Sequence, residues 1–170
     1  KVLIIEKEPK AGGYLTEFKN EDFVFEVSLH LLNSCGEGQY TFEILKRCGV
    51  IDSIKFLKPR YLCRSVFPDF DIKVPQMNID AYKETLIDLF PKSKQGIDDF
   101  FNEMSEMFRM VNGSVSSGRM TSGLLPYMAG SCESVIDKYI KHDKLKAGIC
   151  QMWIYFGLPP SLLRPIDFCY

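Results

Sequence analysis

Val2-Leu3-Ile4-Ile5-Glu6, followed by Lys7-Glu8-Pro9-Lys10-Ala11-Gly12-Gly13, is the stretch on which the fold turns. Four consecutive apolar residues closed by a carboxylate predict a strand buried on both faces, as in a parallel sheet. Lys7 to Gly13 carries Pro9 and a glycine pair, and so reads as a loop. An acidic side chain at the carboxyl end of such a strand sits where open α/β sheets bind ligands, and it can accept hydrogen bonds from the ribose hydroxyls of a dinucleotide. Many strands simply end in Glu, so a plain strand end stands beside that reading. Gly12 and Gly13, lacking Cβ, let backbone N–H groups come close to a pyrophosphate or flavin ring. A tight turn accounts for them equally well.

Outward from this stretch, Phe23, Phe25 and Val27 alternate with Val24 and Glu26, which predicts a second strand running towards Leu32 and ended by Gly36 and Gly38. Thr41 to Cys48 places Phe42, Leu45 and Cys48 on one helical face, with Gly49 as the stop. The texture then changes. Ile54 to Leu57, Tyr61 to Phe67 and Phe70 to Val74 alternate apolar with polar, and the last two join across Pro68-Asp69 as a hairpin with one wet face.

From Asn78 onwards the pattern is helical. Asn78 or Asp80 caps a helix that reaches Phe90 and is ended by Pro91. In Ser93 to Val111 the apolar residues Ile97, Phe100, Phe101, Met104, Met107, Phe108 and Val111 keep strict helical spacing. That stripe reads as a core face, although soft Met and Phe side chains also suit an apolar ligand. Asn112 to Gly123, rich in Ser and Gly, reads as a loop, and two further helices are expected near Ser134 to Lys141 and Lys144 to Phe156. The expectation is α/β locally and α+β overall. Residues 1–53 would be part of a nucleotide-binding domain, and 54–170 an insertion with antiparallel strands over 54–75 and helices over 78–170.

The 170 residues, 46% hydrophobic and 25% charged, describe a chain that can bury a core. Twenty-one basic against twenty-two acidic residues give a net charge of −1, so no global field would gather nucleic acid. The longest nearly apolar stretch, Ala147 to Pro160, is interrupted by Gln151 and is too short to span a bilayer. No signal peptide can be read, and Cys35, Cys48, Cys63, Cys132, Cys150 and Cys169 show no metal-ligand spacing, which suits reduced thiols in the cytoplasm. The Lys at position 1, placed directly against an apolar run, and the end in mid-pattern after Arg164 suggest an internal piece of a longer protein.

The runs VLIIEKEPKAGGYLTEF (residues 2–18) and FVFEVSLHLL (residues 23–32) resemble the FAD-binding core of the phytoene desaturase, carotenoid isomerase and retinol saturase group of flavoproteins. The resemblance implies that Glu6 holds the adenosine ribose, that Lys7 is the basic residue following it, and that Gly12 and Gly13 lie against FAD. The strand that follows in the family leads into an Asp-x-Gly-x-His-like segment. His30 matches it, whereas Glu26 and Ser28 replace the usual Asp and Gly. His30 is then a polar group near the ring, or a satisfied structural histidine; His142, between Lys141 and Asp143 at a helix end, reads as a surface residue.

Beyond residue 30 the likeness is weaker. Leu86 to Phe101 looks like the start of the family's substrate domain, and Lys144 to Leu162 like a helix with its Gly-Leu-Pro-Pro-Ser turn. The strand, GxGxxG turn and helix that precede the acidic residue by about 20 residues would lie before Lys1. Implied overall is a Rossmann-like FAD-binding domain with an inserted substrate domain, in an oxidoreductase acting on C–C or C=C bonds of a long apolar polyene. Catalytic residues are not specified, no metal is called for, and peripheral contact with a membrane is compatible with such a substrate. Two alternatives remain: an amine-oxidase-like flavoenzyme, and a non-catalytic module that binds an apolar ligand or a partner.

Overall fold

The computed structural model describes residues 2–27 and 31–168. It is a mixed α and β chain in two compact units, Lys1–Lys58 and Pro59–Tyr170. Both sheets are two-stranded and antiparallel.

In the first unit, β1 (Glu17–Asn20) pairs with β2 (Phe23–Glu26), so that Asn20 faces Phe23 across a two-residue turn. Glu21 starts that turn with φ +54°, the left-handed conformation that right-twisted hairpins require at this point. Phe18 and Phe25 are directly opposed, and their rings stack with centroids 5.2 Å apart. The sequence pattern missed β1, because Glu-Phe-Lys-Asn offers one apolar residue in four. Helix α1 (Tyr40–Arg47) ends through the Cys48 N–H on the Ile44 carbonyl, and Gly49 follows at φ +71°.

Two sequence expectations are corrected here. Val2 to Glu6 forms no strand, and Val2, Leu3, Ile4 and Ile5 are 83–92% exposed. A strand buried on both faces needs a hydrogen-bonded neighbour and a covering layer, and the only strand pairings among the described residues are the two hairpins. The strand expected to run from Phe23 towards Leu32 stops at Glu26, and Ser28 to His30 lie outside the described residues. Among the described residues of this unit none is buried.

The second unit holds the core. Strands β3 (Tyr61–Val66) and β4 (Asp71–Pro75) form the expected hairpin, with Ser65 opposite Ile72 and Cys63 opposite Val74. Its turn is closed by the Phe67 N–H donating to the Phe70 carbonyl at 2.9 Å, and the two rings stack at 4.4 Å. Ile72 and Val74 point inward, as the alternation requires. Ile54 to Leu57, by contrast, forms no strand.

Helix α2 (Ile79–Leu89) starts where Asn78 Oδ1 accepts the Ala81 N–H at 3.0 Å, an N-cap that satisfies one of the first-turn donors. Helix α3 (Lys94–Ser117) buries Ile97, Phe100, Met107 and Val111. It outruns the expected loop boundary at Asn112 by continuing to Ser117, whose hydroxyl donates back to the Gly113 carbonyl at 2.7 Å. Gly118, at φ +66°, ends it. Composition misled at this point, because a Ser/Gly-rich segment that only extends an already nucleated helix bears a small cost per residue.

The remaining α-helices contribute further residues to the two apolar clusters. They are α4 (Leu125–Ala129), α5 (Cys132–Tyr139), α6 (Asp143–Cys150) and α7 (Pro165–Phe168). α5 is capped by Ser131, whose Oγ accepts the Ser134 N–H at 3.2 Å. After α6 the chain tightens into a 3-10 turn over Gln151–Tyr155 rather than continuing as α-helix to Phe156. Ile72, Leu86, Ile97, Phe100, Ile136, Ile140, Leu145 and Leu163 pack together as the main core, and Met107, Val111 and Leu124 form a second cluster. Gly96 sets the spacing of α3 and α5: a Cβ there would lie well inside van der Waals contact of the Tyr139 backbone carbonyl oxygen.

Candidate functional site

The residues singled out by sequence fall on one exposed loop of the first unit, residues 2–16, with His30 outside the described residues. Glu6 Oε1 accepts the backbone N–H of Glu8 at 3.0 Å, which orients the carboxylate and leaves its remaining lone pairs to solvent. Lys7 Nζ lies 3.7 Å from Glu8 Oε1, an exposed contact of little energetic weight.

Gly12 adopts φ +129°, and a Cβ built there would stand 2.6 Å from the Leu15 carbonyl oxygen. That position admits only glycine for two separate reasons, backbone conformation and space. Leu15 donates its N–H to the Gly12 carbonyl at 2.9 Å and closes the turn. Gly13 follows at φ +57° with open space on its Cβ side. The loop therefore presents one anchored carboxylate and, a few residues on, bare backbone.

The second unit contains polar groups that the sequence pattern did not single out. Glu103 on α3 accepts from the Tyr127 hydroxyl at 2.8 Å and from Lys138 Nζ at 2.9 Å, tying α3 to α4 and α5. Burial pushes its carboxyl up, but hydrogen bonds from Tyr139, Lys138 and Tyr127 outweigh this and hold it below the usual carboxylate range. A carboxylate with a lowered folded-state pKa stabilises the fold fully above its unfolded value, about 4.3, and loses that contribution as pH falls through the folded value. Glu103→Gln is therefore expected to narrow the difference between urea midpoints measured at pH 7 and pH 3. Equal differences in parent and variant would remove Glu103 from the acid response.

Tyr82 on α2 donates its hydroxyl to the Gly148 carbonyl at 3.3 Å, and burial pushes its pKa up to about 12. Burial likewise pushes the Cys132 thiol up to about 12 and that of Cys150 to about 11. Both are protonated at neutral pH and suit packing rather than nucleophilic chemistry. The five described cysteines are free thiols. Among the described residues no group of three or more His, Cys, Asp or Glu side chains is placed to hold a metal ion, and no helix is long and apolar enough to cross a membrane.

Comparison with protein-family models, with curated proteins and with solved structures finds no match to this chain.

Proposed function

We propose that this chain contributes to an FAD-dependent oxidoreductase that desaturates, saturates or isomerises a long apolar polyene. The observation that carries the reading is the loop of the first unit: an anchored Glu6 carboxylate followed by Gly12 and Gly13, both at positive φ, with the Cβ position of Gly12 blocked. In this reading Glu6 accepts hydrogen bonds from the adenosine ribose, Lys7 stands beside it, and the backbone of Gly12 and Gly13 lies along the cofactor. The Rossmann-like domain of this reading would give the exposed apolar side chains of Val2 to Ile5 a covering surface. Bound FAD supplies the redox chemistry, and the chain's residues bind and orient. The near-zero net charge provides no field to gather a nucleic acid, in keeping with an uncharged substrate.

The test is to express the open reading frame with everything upstream of Lys1 and purify the product. A yellow protein whose flavin absorbance bleaches on reduction is expected, and Gly12→Ala is expected to lower its FAD occupancy about tenfold, because the added Cβ would displace the turn. A colourless product that takes up no FAD on reconstitution would overturn the proposal. So would about 30 to 40 upstream residues lacking a strand, glycine-rich turn and helix.

A further inference from the structure

Within the second unit, the β3–β4 turn, the end of α2 and the start of α6 border an open groove of about 320 Å3, lined by Asp69, Phe70, Leu89, Phe90, His142 and Lys144. A second open depression of about 200 Å3 shares Leu89, Phe90 and His142 with it and is also lined by Lys92. The floor is apolar: the Phe90 ring meets Phe70 edge-on with centroids 5.4 Å apart, and His142 covers another side of it at 4.9 Å. The rim is not balanced in charge. Asp69, the only acid in the lining, is taken by Lys144, whereas Lys92 and His142 have no acidic partner among the described residues. Asp143, next to His142, has a side chain 97% exposed and its nearest basic contact is Lys146 at 4.0 Å.

An apolar floor under unpaired basic groups fits a ligand with an apolar body and one anionic head. The volume lies at the lower end of the range for ligand pockets, which selects a small molecule. We propose that this groove binds a small apolar carboxylate, the body over Phe90 and Leu89 and the carboxylate between Lys92 and His142. This inference is independent of the flavin loop, since every residue it uses lies in the second unit.

Octanoate, octan-1-ol and acetate serve as probes for the 170-residue chain, by calorimetric titration and by backbone amide shifts. Octanoate is expected to bind at least about tenfold more tightly than either of the others, because each of them lacks one half of the recognition. The shifts should centre on Phe90, Lys92, His142 and Lys144. Lys92→Gln combined with His142→Gln should weaken octanoate about fivefold or more without moving the thermal midpoint, as both side chains are exposed. Octanoate binding no tighter than acetate or octan-1-ol, shifts centred elsewhere, or undiminished binding by the double variant would each overturn the proposal.

Discussion

Gly96→Ala is expected to cost the second unit about 3 kcal/mol, even though alanine is the better helix former. The new methyl would meet the Tyr139 carbonyl oxygen, a backbone atom that cannot rotate aside as a side-chain end could. Either α5 moves away from α3, opening the core that Ile97, Phe100, Ile136 and Ile140 share, or the α3 start unwinds. The comparison that isolates this effect is Gly113→Ala on the same helix. There a Cβ meets open space, so the propensity gain of up to about 1 kcal/mol should appear as stabilisation. Urea unfolding of the two variants should therefore give midpoint shifts of opposite sign. Shifts of the same sign would show that the α3–α5 approach is not what Gly96 provides.

The second large effect concerns the Met and Phe stripe of α3. Phe100 is 2% exposed at the centre of the main core, and Phe108, two turns further on, is 42% exposed. Phe100→Ala is expected to lose about 3–5 kcal/mol through lost burial and the cavity left behind. Phe108→Ala should lose about 1 kcal/mol. Equal, small losses would mean that the stripe is not core and would reopen a ligand-lining role. The edge-to-face packing of Phe100 on Phe101, with centroids 5.3 Å apart, and of Tyr82 on Phe101 at 5.7 Å favours the core reading, since these rings already use their apolar surface on one another.

The parts of the fold that could be read from sequence are those whose signal is local. The hairpin over Tyr61 to Pro75 follows from alternation on either side of Pro68-Asp69, the start of α2 from Asn78, and the buried face of α3 from spacing alone. The parts that could not be read depend on groups far apart in the chain or on energy differences composition does not express. Helix α4 is five residues long and rests on contacts with other elements rather than on periodicity. The end of α3 depends on hydrogen bonds around Ser114 and Ser117 that no count of Ser and Gly conveys.

The candidate site divides in the same way. Glu6, Lys7, Gly12 and Gly13 share one loop because they are neighbours in sequence, so their proximity was legible. His142 is exposed, as its charged neighbours suggested, yet its place against Phe90 was hidden because that contact joins the end of α2 to the start of α6. Glu103 shows the same limit. It lies at the edge of the buried face of α3, three residues after Phe100, and only the folded chain brings Tyr127 and Lys138 to it.

The separation of the chain into one unit with no buried residue among those described and another that holds the core has an experimental consequence. Residues 2–27 can be altered without removing a buried side chain. A substitution at Glu6 removes no core contact, so the unfolding transition of the core is expected to stay where it is in the parent chain.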